Sequence, residues 1–197
     1  KFVCVQLPEI CDEKSDAFRA GFKTISEISI ERIKRASKRI AASILLDKEK
    51  KMGLLEFENT EVSDIDIGCK VLVLSNSNFK QWQQIEGKDA KALAEQMKLF
   101  VDPVSESATI ENMVYELLLK SGKDINSKIE KKQNYFSINE NELVLMLEKA
   151  SQEIIDAVIG SKPNKVIALD KLFKGNDQLK TNTVLQMKDS SIEFKTI

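Results

Sequence analysis

The 197-residue sequence contains no histidine. That absence removes Ser-His-Asp and Cys-His nucleophile pairs, histidine general bases, His-rich zinc sites and the zinc deaminase signature. Cysteine is nearly as scarce. Cys4, Cys11 and Cys69 form no C-x-x-C pair, which fits reduced thiols packed as small hydrophobes. Seven glycines and three prolines are too few and too scattered to build a G-x-x-x-x-G-K-[ST], G-x-G-x-x-G or G-x-S-x-G loop, and none of the three is present. No apolar run reaches the roughly 20 residues of a membrane span, and no signal peptide is visible. The expectation is a cytoplasmic chain without a membrane partner. Charge of one sign is lacking too: 30 basic against 31 acidic residues leave a net charge of −1. No global field draws the chain onto nucleic acid, so any DNA contact needs a local patch.

What is present is an ordinary globular composition, 42% hydrophobic and 31% charged. This length suits one large domain or two small ones. The sequence opens on Lys1 rather than methionine, directly in a β-rich run, which reads as a truncation. Phe2 to Leu7 (F-V-C-V-Q-L), closed by Pro8, suits a short buried strand. Thr24 or Ser26 can cap a helix whose apolar positions Ile25, Ile28, Ile33, Ala36, Ile40 and Ile44 follow a 3.6-residue period. Its other faces carry Glu31, Arg32, Lys34, Arg35, Lys38 and Arg39. Leu54 to Ile65 is acidic and irregular, and Cys69 to Leu74 is a second β-run followed by the polar turn S-N-S-N. Polar residues with Gly87 put a domain boundary near Gln84 to Lys88, giving domains of 1–84 and 85–197.

The second region reads as a small α/β unit. A short helix spans about Ala90 to Lys98, and an amphipathic one runs from about Thr109 to Ser121. The latter turns Ile110, Met113, Val114, Leu117 and Leu118 inward and stops at Gly122. Strands at Tyr135 to Ile138 and Leu143 to Leu147 are joined by N-E-N-E as a hairpin. Ser151 caps a helix bearing Ile154, Ile155, Val158 and Ile159, ended by Gly160 and Pro163. A strand at Lys165 to Asp170, a helix near Asn176 to Lys188 capped by Asn176 or Asp177, and a last strand at Ile192 to Ile197 complete it. The order β-β-α-β-α-β implies a sheet with helices packed against it. Carboxylates form only surface pairs such as Glu31 with Arg35, and no active site emerges from the residues themselves.

Three strings carry a resemblance. They are K-F-V-C-V-Q-L-P-E with D-E-K-S-D-A-F-R-A-G-F-K-T-I-S-E-I-S-I-E-R-I-K-R-A, then D-I-D-I-G-C-K-V-L-V-L-S-N-S-N-F-K-Q-W, then E-N-M-V-Y-E-L-L-L-K-S-G with K-V-I-A-L-D-K-L-F-K-G-N-D-Q-L-K-T-N and I-E-F-K-T-I. In order across nearly the whole chain, they resemble the modification (Mod) subunit of type III restriction-modification systems, an adenine-N6 DNA methyltransferase. The resemblance implies the end of a Rossmann-like methyltransferase sheet followed by a small C-terminal α/β domain. It implies S-adenosylmethionine as cofactor, DNA as substrate, and a second Mod subunit or the restriction (Res) subunit as partners of the C-terminal domain.

The family's catalytic D-P-P-Y and cofactor-binding F-x-G-x-G motifs are not in this sequence. The chain alone is therefore expected to transfer no methyl group, since positioning of donor and acceptor supplies much of the rate. In the family the residue ending the first strand is often acidic and binds the cofactor ribose. Gln6 stands there instead, an amide without charge assistance, flanked by Leu7 and Glu9. Gln6 equally fits the plain end of a strand. Arg32, Arg35, Lys38 and Arg39 can touch DNA phosphate, and their glutamate neighbours equally fit a solvated or packing face. The other reading of the chain is a non-catalytic interaction module for Mod dimerisation or restriction-subunit docking.

Overall fold

A computed structural model of the chain describes residues 3–52, 68–81, 90–100 and 102–197, with backbone alone for 47–52 and 99. The expected irregular segment 54–65 and the expected boundary at 84–88 lie outside the described residues. The chain divides between Leu74 and Ser75 into two compact units. It is mixed α/β, with six α-helices and one five-stranded sheet among the described residues.

In the N-terminal unit, α1 spans Asp16–Arg19 and α2 spans Ile25–Met52. The start of α2 is written in its sequence. Thr24 Oγ1 accepts the Glu27 N–H at 3.3 Å, while Glu27 Oε2 accepts the N–H of Lys23 at 2.6 Å and of Thr24 at 3.4 Å. This reciprocal capping satisfies donors that a helix end otherwise leaves bare. The apolar stripe differs from the expected one. Ile25, Ala36 and Ile40 are exposed, Ile40 at 52%, whereas Ile30, Ile33, Ser37, Ala41 and Ile44 lie on the more covered face. Those five follow spacings of three and four, so a helical period is present but displaced around the helix.

Neither expected strand of this unit forms. Residues 3–8 and 71–74 are not in strands, and Val5 (90%) and Val73 (85%) are exposed. The one strand-like contact there is an isolated bridge between Ile10 and Thr24. β-propensity describes fit to a pleated, half-buried surface, and a strand exists only when a neighbour supplies its hydrogen bonds. Among the described residues of this unit only Cys11 is a buried apolar residue.

The C-terminal unit holds α3 (Ala90–Leu99), α4 (Ile110–Lys120), β1 (Ile129–Lys131), β2 (Phe136–Ile138), β3 (Leu143–Met146), α5 (Gln152–Gly160), β4 (Lys165–Ala168), a 3-10 turn (Asp170–Phe173), α6 (Asp177–Asp189) and β5 (Glu193–Thr196). Strands lie side by side in chain order, antiparallel from β1 to β3 and parallel from β3 to β5. Alternation along each strand divides the core between two faces. Leu143, Leu145, Leu147, Ile167 and Leu169 meet Met113, Val114, Leu117 and Leu118 of α4. Val144, Met146, Val166 and Ala168 meet Ile154, Ile155 and Val158 of α5 and Met187 of α6. The result is helix, sheet and helix pair in three layers.

The cap of α6 agrees with the sequence reading, and α4 has one that the reading did not name. Thr109 accepts the Asn112 N–H at 3.2 Å, and Asn176 accepts that of Leu179 at 3.0 Å. Ser151 makes no side-chain capping bond at α5. That helix ends at Gly160 with Ser161 as its cap, and Lys162 beyond it, with a φ of 50°, turns the chain through the left-handed region.

Candidate functional site

The carboxyl ends of β3 and β4 open into a cleft of the C-terminal unit, about 830 Å³ in volume. Leu147 and Glu148 enter it just after β3, Lys171 just after β4, Met113 from the first turns of α4, and Lys80 and Asp102 from the preceding segments. The ends of parallel strands are a common place for ligands, because chain crossovers leave a crevice there. Several charges of its lining are engaged. Lys80 Nζ donates to the Asp102 carbonyl at 2.8 Å, Lys171 Nζ stands 3.8 Å from the Asp102 carboxylate, and Glu148 is 3.0 Å from Lys131 Nζ. Met113 and Leu147 add apolar surface to the same lining, and Glu106 a further carboxylate.

The strongest electrostatic constellation is one the sequence reading missed. Glu116, on α4, reaches the S-N-S-N segment. Its carboxylate accepts from Ser77 Oγ at 2.5 Å, from the Asn78 N–H at 2.7 Å, from Asn78 Nδ2 at 2.8 Å and from Lys120 Nζ at 2.7 Å. Burial pushes this carboxyl up. Lys120, Ser77 and both Asn78 donors together outweigh burial and hold it at about 2, against an ordinary 4.5. The arrangement fastens 77–79 across α4, helped by Lys120 Nζ 5.0 Å over the Phe79 ring and by the Phe79–Val104 bridge. Four donors occupy the carboxylate, so its work is structural. The helical pair Glu116–Lys120 was legible in sequence, but the partners some 38 residues away were not.

A second polar cluster lies at the β2–β3 turn. Asn139, Glu140 and Asn141 all have positive φ, at 47°, 57° and 73°. Asparagine tolerates that region because its short side chain can bond locally. Asn141 Oδ1 accepts from Ser137 Oγ at 2.7 Å, and Asn139 Nδ2 donates to Glu142, whose carboxyl the Lys123 ammonium and Asn139 hold below its ordinary value.

The residues singled out from sequence fall in the N-terminal unit. Gln6 Nε2 donates to the carbonyl of Leu7 at 3.2 Å, and both side chains are exposed. Glu9 is exposed as well, its carbonyl accepting the Ile25 N–H at 3.0 Å at the start of α2. Helix α2, about 42 Å long at 1.5 Å per residue, brings the four cations together. Arg32, Arg35 and Arg39 share one side, with Lys38 adjoining, and all four are exposed. Arg35 Nε is held by Glu31 at 2.7 Å, and that bond keeps the Glu31 carboxyl below its ordinary value. Among the described residues no group of three Cys, Asp or Glu side chains is placed to hold a metal, and no helix is long and apolar enough to cross a membrane. Compared with protein-family models, curated proteins and solved structures, the chain matches none.

Proposed function

We propose that this chain is the C-terminal part of a type III Mod subunit, a site-specific DNA adenine-N6 methyltransferase of the cytoplasm. The unit up to Leu74 forms the tail of its Rossmann-like catalytic domain, and Ser75–Ile197 forms an assembly domain, a boundary some ten residues before the one expected from sequence. The observation that carries the reading is the state of the β-rich runs at 3–7 and 71–74. Their apolar side chains are exposed and they form no strand, while the C-terminal unit has a five-stranded sheet over a buried core. Runs of that composition suit a larger sheet, and the resemblance supplies one: the cofactor-binding sheet of the methyltransferase. There Gln6, Leu7 and Glu9 lie beside the ribose of S-adenosylmethionine, and Arg32, Arg35, Lys38 and Arg39 face DNA phosphate. The methyl group passes from the sulfonium to the adenine amino nitrogen, which loses a proton, through residues of the parent that this sequence does not contain.

The second reading is a non-catalytic module that binds a second Mod subunit or the restriction subunit. The self-contained core of the C-terminal unit favours it for Ser75–Ile197. The test is methylation in cells expressing the whole reading frame from which the chain derives. N6-methyladenine at one recognition sequence, lost when the frame is deleted, supports the methyltransferase reading. A frame lacking D-P-P-Y and F-x-G-x-G, with no methylated adenine, overturns it and leaves the module. The chain by itself is expected to transfer no labelled methyl group to DNA.

A further inference from the structure

The sheet of the C-terminal unit has two outer strands, and they differ. At β1, Lys128 and Lys132 both pair with Glu130, at 2.7 and 3.1 Å, so that edge satisfies its own charges. At β5 the backbone parity is fixed by three bonds. Glu193 N–H donates to the Asn164 carbonyl, Ile197 N–H donates to the Ala168 carbonyl, and the Ile197 carbonyl accepts the Asp170 N–H. Odd-numbered residues therefore face β4. Phe194 and Thr196 turn their N–H and C=O groups outward, as an edge strand does. Lys195 is exposed and has no ion-pair partner among the described residues. Glu193 is exposed too and pairs inward with Lys165 at 2.6 Å. On α6, Gln186 reaches α5 through Gln152 at 3.1 Å. Val184, nearly opposite on the helix, is 43% exposed.

We propose that β5 pairs antiparallel with β5 of a second copy of this chain, about a two-fold axis through Phe194. The segment E-F-K is self-complementary in that register. The two Phe194 residues form the hydrogen-bonded pair, using the groups that point outward. Each Glu193 stands opposite Lys195 of the other copy, at the close spacing of a non-hydrogen-bonded pair. Lys195 gains a carboxylate, and the half-buried Phe194 rings lose solvent together. Moving the axis to Lys195 also preserves backbone parity, but it sets Lys195 against Lys195, and like charges directly opposite destabilise. A one-residue slip pairs outward groups with inward ones and forms no bonds. Charge thus selects one register, and the isologous contact closes as a dimer. It gives the proposed assembly role a surface without depending on it, since the edge pairs in the same way whatever reaction the chain serves.

Sedimentation equilibrium of the full chain tests this, using the wild type, Lys195→Glu, Glu193→Lys and an equimolar mixture of the two variants. The contact is small and its affinity correspondingly weak, so the series runs to high micromolar concentration. The wild type is expected to dimerise. Each variant, which faces its own copy with two like-charge pairs, should weaken dimerisation about tenfold or more. The mixture, which sets E-F-E against K-F-K, should recover most of the wild-type association. Three results overturn the proposal: a wild type that stays monomeric, variants that dimerise as well as the wild type, or a mixture no stronger than its components. Should a variant misfold, hydrogen exchange of the wild type decides. The Phe194 and Thr196 amides must slow with concentration, and exchange independent of concentration overturns the pairing.

Discussion

The two units carry β-rich runs of similar composition and treat them in opposite ways. Val3 to Leu7 and Val71 to Leu74 form no strand and are exposed, whereas Leu143 to Met146 and Lys165 to Ala168 are strands with almost every residue buried. Local preference is alike in both. What differs is supply: β3 has β2 and β4 at its sides, α4 on one face and α5 with α6 on the other. The N-terminal runs have none of these among the described residues. Burial, rather than propensity, makes a strand.

The largest expected effect sharpens that contrast directly. Leu118→Ala, at a fully buried α4 position, should cost about 3 kcal/mol in urea unfolding. Val5→Ala, at an exposed position, should stay within about 0.5 kcal/mol. Equal losses at the two sites would break the comparison.

Next comes Glu116→Gln, which removes the charge that four donors address. It should lower stability by about 1–2 kcal/mol near neutral pH, a figure discounted for partial solvent access. Glu116 is held at about 2 in the fold against an ordinary 4.5. Its contribution is therefore complete above about pH 4.5 and fades as pH falls toward 2. Unfolding at pH 6 and pH 3 should show the wild type and the variant converging in acid. A gap that is constant with pH would mean the carboxylate is not what Ser77 and Asn78 require.

A smaller effect tests the local order of the N-terminal unit, where Cys11 is the one buried apolar residue among the described residues. Thr24→Ala should cost about 1 kcal/mol, read as faster amide exchange in the first turn of α2. Unchanged exchange would mean the Thr24–Glu27 cap is decorative. The smallest effect has the opposite sign. Glu140→Gly, at an exposed position with φ of 57°, should stabilise the C-terminal unit by about 0.5–1 kcal/mol by relieving left-handed backbone.

Much of the C-terminal unit was legible because its signals are local. Strands β2 to β5 and helices α3 to α6 lie within a few residues of where alternation, period and the cap at Asn176 place them. Strand β1 was not legible, since I-E-K holds one apolar residue and becomes a strand only by pairing with Phe136–Ile138. The stripe of α2 was misplaced because isoleucine was weighed more heavily than position. The more covered face includes Ser37 and Ala41 and leaves Ile40 outside. The N-E-N-E turn was visible as a turn, but its three consecutive left-handed residues were not. The Glu116 constellation was invisible because its partners are distant in sequence. The polar clusters at Glu116 and at the β2–β3 turn are joined by bonds between side chains that no local pattern announces.

The strand order has a consequence for how the C-terminal unit is made. Each strand pairs with the one synthesised just before it, so no strand waits for a distant partner. Two hairpins and two βαβ crossovers each close only a short loop, and short loops lose little entropy on closing. Such low contact order favours rapid folding. As the chain leaves the ribosome the sheet can grow by one strand at a time, each new strand finding a finished edge already waiting.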